Sequence, residues 1–502
     1  MDKDIAVVFD CGSTNITVIA IDASGEILTS WSVPNEPVSP EDEPDDHLVW
    51  DVDGLWDKLS TACSHCVEDI DPGRITAVTV TTWGADGTFI DEDGDFLYPA
   101  ISWQDGRTEA LADQIAADLD PWEIYQTSGY TIIPFNTLLK LRWLVDNEPE
   151  IVEKADHFLM MPGIFSYLLC GERSLDPTSA GTTMAIDMAA RDWSEELLSW
   201  AGVSDDIFPP LVEPGRIIGR VTRSAAAATG LPEDTPVVAA GHDTQFAAVG
   251  SGAGPTEAIL SSGTWEILML RSTQFNPARE DFENGLLIEA DAEAGKYNPQ
   301  FLMMGSGVLE WLRDQFYTDM AGAEVGYGDM IVAAEGVEPG ADGLTVIPSF
   351  VADTGPLSKY DTEGTIVGLK LSSSRDHLYR AALEGLSFQL RQAVDILTAN
   401  RKVGCTGIRA VGGGSKNDLW NQIRADVCQM PVTTIEQKEA TVLGAAMFAF
   451  VGGEVYDNIQ QAQQEMISQT FVFEPGENAA KYQELFEDYT KIPPALADHY
   501  GS

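Results

Sequence analysis

The chain has 502 residues, long for one core, so two or more domains are expected. Hydrophobic residues make up 44% and aromatic residues 9%, which excludes a globally disordered chain. The 29 Lys+Arg stand against 80 Asp+Glu, and the net charge of −51 excludes nucleic acid and anionic membrane surfaces as partners. The acids are spread along the chain rather than gathered in a tail, a pattern that fits a halophilic protein whose self-repulsion is screened by concentrated salt.

Met1-Asp-Lys-Asp4 leads straight into the apolar run Ile5–Phe9, so no targeting segment is expected. Three strand-like runs then follow, 5–9, 17–22 and 26–33, the last two joined by the turn Asp22-Ala-Ser-Gly25 as in a meander. The Pro-, Glu- and Asp-rich stretch 34–46 reads as a surface loop. A helix over 52–69 and a buried strand over 75–81 come next, then helices over 107–118 and 136–147. The apolar strand 236–240 ends at Gly241-His-Asp243. In the second half a hairpin over 258–272 turns at Ser262-Gly263. The strand 408–411 runs into Gly412-Gly413-Gly414 and a helix with Leu419, Trp420, Ile423 and Val427 inward. Tyr482, Leu485, Phe486 and Tyr489 form the stripe of a closing helix. This organisation gives an N-terminal domain over 1–245, a second over 246–450 and a helical tail over 451–502. The similar strand–turn–strand openings of the two halves hint at duplication.

No apolar run approaches the roughly 18 residues of a membrane span. The six cysteines are sparse and read as reduced, so a cytoplasmic protein is expected. Cys63-Ser-His-Cys66 has metal-site spacing, but it lies in a helical pattern and no second Cys/His pair completes four ligands.

Three glycine-bearing turns stand where strands end: Phe9-Asp-Cys-Gly-Ser-Thr-Asn15, Leu260-Ser-Ser-Gly-Thr-Trp-Glu266 and Val411-Gly-Gly-Gly-Ser-Lys-Asn417. Glycine lets the backbone approach a ligand closely, and free N–H groups in such turns attract anions. Their separation by about half the chain suggests two domains closing on one nucleotide.

With these turns the chain resembles the FGGY family of carbohydrate kinases, within the actin-like ATPase superfamily. Two signatures carry the likeness, Phe135-Asn-Thr-Leu-Leu-Lys-Leu-Arg-Trp-Leu-Val-Asp-Asn147 and the stretch from Gly364-Thr-Ile-Val-Gly-Leu369 to His377-Leu-Tyr-Arg-Ala-Ala-Leu-Glu384. The order of Asp10, Trp103-Gln-Asp-Gly-Arg107, Gly241-His-Asp243, Ser262-Gly-Thr264 and Gly412–Gly414 is also the family's. The resemblance covers residues 5 to 490. It implies an α/β fold of two actin-like ATPase (ribonuclease H-like) domains with a nucleotide and sugar cleft between them. Thr82-Trp-Gly-Ala-Asp-Gly87, Gly241-His-Asp-Thr-Gln-Phe246, Tyr297-Asn-Pro299 and Ser306-Gly-Val-Leu-Glu-Trp311 resemble the family's L-fuculose kinases, with the L-rhamnulose kinases next. The latter differ after Tyr297, where this chain offers Leu302 and Met303 in place of a polar sugar contact.

The reaction so implied is ATP-dependent phosphorylation of a terminal ketose hydroxyl, L-fuculose to L-fuculose 1-phosphate first, with another ketose or polyol such as L-rhamnulose, xylulose or ribulose as the alternative acceptor. Such transfer needs an acceptor held in line, a carboxylate to take its proton and compensation of phosphate charge. Asp243 can be that base or merely a helix N-cap, and the resemblance favours the base. Asp10 is expected to hold Mg²⁺ through waters, since Mg²⁺ prefers carboxylate and phosphate oxygens. Gly12, Ser13, Thr14, Asn15, Gly263 and Thr264 are expected at the phosphates, and Gly412, Gly413, Gly414 and Asn417 against the adenosine, with Glu310 also assigned to the nucleotide. For the sugar the candidates are Trp83, Gly84, Asp86, Trp103, Arg107, His242 and Gln245, because sugars bind through aromatic faces and bidentate polar groups. Asp176 and Thr182 resemble part of the family's inter-domain wall. The partners expected are a small sugar and ATP, without nucleic acid or membrane; the oligomeric state is left open, a homodimer included. An actin-like nucleotide switch and a non-catalytic sugar sensor are the alternatives, against which the tryptophan segments and Asp243 argue.

Overall fold

Alternation along one strand shows how the first half is built. In Ile5–Cys11 the side chains of Ile5, Val7 and Phe9 enter one core cluster and those of Ala6 and Val8 another, all fully buried. A strand apolar on both faces must be covered on both. The computed structural model describes the chain except residues 1–2, 41–43, 45–46, 318–324, 352–353, 400–403, 437–438, 468 and 501–502. Part of the predicted surface loop 34–46 therefore lies outside the described residues.

The first sheet has the order Ile217–Arg220, Pro236–Val238, Ile75–Thr82, Ile5–Cys11, Asn15–Asp22, Ile27–Pro34. The second runs Leu287–Ala290, Tyr297–Met304, Trp265–Met269, Glu257–Ser262, Gly407–Val411, Val432–Ile435, Thr470–Phe473. Both have one plan. From the central strand, two successive antiparallel strands lie on one side, to which the second sheet adds Leu287–Ala290 as a third; on the other lie two parallel strands and an antiparallel edge. The hinted duplication is thus a repeated architecture. The predicted meander and the predicted hairpin are the corresponding pieces of the two sheets.

The helix Val52–Glu68, capped by Asp51, covers one face of the first sheet together with Met161–Cys170 and Arg223–Thr229. Its Cys63 and Cys66 belong to that core, and the Cys66 thiol donates to the Val18 carbonyl at 3.1 Å. The other face is covered by Ala440–Gly452, which comes from the second half, with Asp243–Gly250 and Ile459–Met466. Phe246 and Val249 of the helix Asp243–Gly250 pack on this first sheet, while Ala248 meets Ile259 and Ala247 meets Val411 of the second. The helix is wedged between the sheets. It crosses Ala440–Gly452 so closely that a Cβ on Gly250 would strike the Ala440 carbonyl, and one on Gly444 the Phe246 carbonyl.

The predicted tail is helical over Ala479–Tyr489, with Tyr482, Phe486 and Tyr489 buried, but it also contributes the edge strand Thr470–Phe473 to the second sheet. Phe471 and Val472 suit a pleated edge, a local β preference that the helical stripe conceals. Among the described residues no helix is long and apolar enough to cross a membrane.

Candidate active site

The first glycine turn closes a hairpin in which Asp10 pairs with Thr17. The Gly12 N–H donates to the Asn15 carbonyl at 2.9 Å, and a Cβ on Gly12 would lie 2.8 Å from that oxygen. Glycine is required there because the turn is too tight for a side chain. Ser13 is half-buried, while Thr14 and Asn15 are exposed at the tip. Asp10 sits where the strand enters the turn. Burial pushes its carboxyl up to about 8, and the negative charges of Asp243 and Glu439 add to the rise. The strongest neighbouring charges are thus of its own sign.

The second turn is built over a buried ion pair. Arg424 and Glu266 are fully buried and bonded to each other, and Ser262 donates to Glu266 at 2.7 Å while accepting from Arg424 at 2.7 Å. The guanidinium also lies 3.6 Å from the Trp420 ring centroid. Above this pair the Gly263 N–H donates to the Trp265 carbonyl at 2.9 Å, and Thr264 is exposed. The Ser306 N–H donates to the Gly263 carbonyl at 2.8 Å, seating the helix Gly307–Phe316 against the turn. Glu310 is exposed on its first turn, 3.7 Å from Arg313.

The third turn divides its glycines by task. Gly412 has φ +85°, and a Cβ there would lie 2.7 Å from the Ser262 carbonyl. A Cβ on Gly414 would collide with the Ser262 hydroxyl, whereas Gly413 faces open space. Two of the three glycines therefore dock this turn on the second one, and Gly413 alone offers unobstructed approach. Asn417 is the N-cap of Asp418–Cys428: its side chain accepts from the Trp420 N–H at 3.1 Å and donates to the Tyr379 hydroxyl at 3.4 Å. These are structural bonds rather than open donors.

Asp243 is the first residue of the wedged helix, with His242 at the cap position. Its Oδ1 accepts from the Thr244 N–H at 2.6 Å and the Thr244 hydroxyl at 3.2 Å. About a third of the side chain remains exposed. Burial raises its carboxyl and the His242 charge pulls it back. The His242 ring lies 3.4 Å from Asp243 Oδ1 through Nε2 and 3.4 Å from Glu289 Oε2 through Nδ1. Gln245, expected at the sugar, is fully buried; it donates to Glu289 at 2.5 Å and accepts from Asn298. Both ends of its amide are used inside the protein.

The tryptophan loop departs further from expectation. Asp86 is fully buried and accepts from the indoles of Trp50 and Trp83, each at 2.7 Å, from the Trp103 N–H at 3.1 Å and from Lys140. It organises the loop and has no face left for a sugar. Arg107 is likewise committed: its fully buried guanidinium forks onto Asp105 at 2.8 Å, donates to Tyr98 at 3.0 Å and lies over Trp143. A guanidinium removed from water needs such a partner, and here the protein supplies it. Trp83 is 7% exposed and packs on Trp50, while Trp103 keeps part of its ring open beside Phe135. Gly84 is needed for close approach, since a Cβ would lie 2.7 Å from the Thr182 methyl; the Ala85 N–H donates to Thr182 Oγ1 at 2.8 Å. Asp176 caps Pro177–Gly181 and bonds Thr178, whose hydroxyl accepts from the His242 N–H at 2.9 Å. Met303 is a core residue, whereas Leu302, on the opposite face of the strand, is half-buried.

Sequence reasoning missed Glu289, Glu439, Lys140 and the Arg424–Glu266 pair. The signal available was a charged residue inside an otherwise apolar run, as in Leu286-Leu-Ile-Glu289.

The site thus combines one carboxylate at a helix start, one where a strand enters the first glycine turn, and a second glycine turn at the equivalent place in the other sheet. The comparisons agree with that class. The chain matches the FGGY family of carbohydrate kinases, N-terminal domain, over residues 5–250 and C-terminal domain over 258–453. It is 37% identical over 475 residues to the L-fuculokinase of Escherichia coli (strain K12), covering 95% of this chain and 98% of that protein. The L-fuculokinase of Haemophilus influenzae is 36% identical over 467 residues, 92% of this chain and 97% of the relative. The crystal structure of xylulose kinase from Rhodospirillum rubrum superposes with TM-score 0.87 at 25% identity, over 99% of this chain and all of that one. The chain belongs to the FGGY family of carbohydrate kinases. It is a carbohydrate kinase of two actin-like ATPase domains, with ATP as the family's phosphate donor and a small sugar as acceptor.

Proposed function

We propose that the protein phosphorylates L-fuculose at its terminal hydroxyl, with ATP as donor, in a cytoplasm of high salt. The single observation that carries the sugar is the 37% identity to an L-fuculokinase over nearly the whole length of both chains. Asp243 accepts the hydroxyl proton; its Oδ1 is engaged by Thr244, and the part-open side chain leaves the other oxygen for the substrate. As the hydroxyl loses its proton to Asp243, its oxygen bonds the γ-phosphorus and the bond to ADP breaks. Trp103 offers the partly open aromatic face, and His242 borders the acceptor side. Backbone N–H groups of Ser13, Thr14 and Asn15, with Thr264, receive phosphate oxygens; Gly263, whose N–H is spent on the Trp265 carbonyl, keeps the second turn tight, and Gly413 gives the nucleotide close approach.

Asp10 fits a Mg²⁺ partner. It is a largely enclosed carboxylate whose acting neighbours, Asp243 and Glu439, are negative, an arrangement a divalent cation relieves. No group of three Asp, Glu, His or Cys among the described residues could ligate a metal directly, which suits an ion that keeps waters and takes the rest of its shell from phosphate. Bound there, Mg²⁺ would neutralise phosphate charge during transfer.

The test is initial rates on L-fuculose, L-rhamnulose, D-xylulose, D-ribulose and glycerol, at KCl from about 0.1 to 3 M, a span over which the screening length falls from about 10 Å to below 3 Å. L-Fuculose should give the highest kcat/KM, and melting temperature should climb with salt. A better substrate elsewhere in the panel removes the sugar assignment; full stability and activity at low salt removes the halophilic reading.

A further inference from the structure

Behind Asp243 runs a line of buried groups that crosses from one domain to the other. Glu289 lies on the strand Leu287–Ala290 of the second sheet and is 3% exposed. Its Oε1 accepts from the Tyr130 hydroxyl of the first domain, and its Oε2 accepts from Gln245 at 2.5 Å and faces His242 Nδ1 at 3.4 Å. Gln245 is itself held by Asn298. The Ile288 N–H donates to the Gly129 carbonyl at 2.8 Å, and a Cβ on Gly129 would strike the Ile288 carbonyl. Backbone therefore fixes Glu289 against Tyr130. The opposite ring nitrogen of His242 lies 3.4 Å from Asp243 Oδ1, the oxygen that Thr244 also engages. A carboxylate so enclosed is retained only where its hydrogen bonds and a counter-charge are supplied.

We propose that Glu289 is a positioning residue: acting through His242, it holds the Oδ1 side of Asp243 so that the other oxygen faces the sugar hydroxyl. The proposal rests on the reading of Asp243 as base.

The charges that face His242 come from three elements: Glu289 from the second sheet, Asp243 from its own helix and Asp176 from the loop before Pro177–Gly181. Those acting on Asp243 are His242 and Glu289, and Asp243 and Asp10 act on each other across the cleft. Burial alone would discharge the imidazole, but the Glu289 carboxylate 3.4 Å away, with Asp243 and Asp176, pushes it up to about 9. Burial works against Glu289 too, and the His242 charge with hydrogen bonds from Tyr130 and Gln245 holds it below the ordinary range. At neutral pH Glu289 is a carboxylate and His242 an imidazolium. With glutamine at 289 the imidazole loses its main counter-charge, discharges, and no longer presents a cation to Asp243 Oδ1.

Glu289→Gln and His242→Gln test this, by ring NMR of histidine-labelled full-length protein and by kcat and KM across pH. The His242 resonance, identified by its loss in His242→Gln, should titrate near 9 in the parent and fall by roughly two pH units or more in Glu289→Gln, the size of shift a buried counter-charge produces. In Glu289→Gln kcat should drop about 10- to 100-fold, as for other outer partners that orient a reacting group, with KM for ATP and sugar within about threefold. In the parent, kcat should decline as pH passes 9; in His242→Gln that alkaline limb should vanish. An unmoved His242 titration in Glu289→Gln, or a raised sugar KM at unchanged kcat, overturns the proposal. Should Glu289→Gln fail to fold, an alkaline limb persisting in His242→Gln overturns it equally. If Asp243→Asn retains near-parental kcat, the base reading falls, while the His242 titration still reports whether Glu289 holds the ring.

Discussion

The first and second glycine turns stand at equivalent places in the two sheets, yet their charges are managed in opposite ways. Under the second turn, the negative charge of Glu266 is met by Arg424 inside the protein, and Ser262 ties the pair to the turn. At the first turn, the charges acting on Asp10 are Asp243 and Glu439. At one turn the buried carboxylate has its cation inside the fold. At the other the acting charges are of the same sign, and under the proposed function a bound cation would offset them. The same architecture occurs twice, and the two copies differ in how buried charge is compensated.

The largest effect should come from breaking the internal pair. Arg424→Leu leaves Glu266 buried without its cation and should cost about 3–5 kcal/mol of stability, read by denaturant unfolding. Arg424→Leu with Glu266→Leu should recover most of that loss, because paired removal leaves no stranded charge. If the single variant is as stable as the parent, the second turn does not depend on this pair.

At the first turn the sign reverses. Asp10→Asn should lower kcat about 100-fold or more, since charge neutralisation at the phosphates is worth several kcal/mol, yet it should raise the stability of the metal-free protein. The pH dependence follows from the raised carboxyl. A folded pKa of about 8, above the ordinary carboxylate value of 3.8 kept by the unfolded chain, gives stability that is full below the unfolded value and is lost as pH rises through 8. The stability gain of Asp10→Asn over the parent should therefore grow from pH 4 to pH 8 and then level off. Thermal melting of both proteins in chelator across that range checks it, and a gain independent of pH would show that Asp10 is already compensated.

The smallest effect sharpens the comparison at the third turn. Gly413→Ala should change stability by less than about 0.5 kcal/mol, as an open surface position, while raising KM for ATP. Gly412→Ala should cost about 1–2 kcal/mol from the left-handed backbone alone. Equal penalties at both positions would contradict the division of tasks among these glycines.

Much of this molecule was legible along the chain. The runs 5–9 and 75–81 announce buried strands because β-branched and apolar residues have no other place at that density, and the glycine turns announce themselves because tight hairpins exclude a Cβ. Asp10 and Asp243 could be picked out as carboxylates at strand ends. What the chain order could not show is which polar residues spend their bonds on each other. Asp86, Arg107 and Gln245 carry the chemistry of sugar contacts, but Lys140, Asp105 and Glu289 reach them from 54, 2 and 44 residues away and consume them. The same holds for Arg424 and Glu266, 158 residues apart. Sequence determined the duplicated sheets, the turns and the family, since those follow from local periodicity and backbone sterics. Tertiary structure alone decided which charges are neutralised within the fold and which face charges of their own sign, because that depends on distances between segments that only packing brings together.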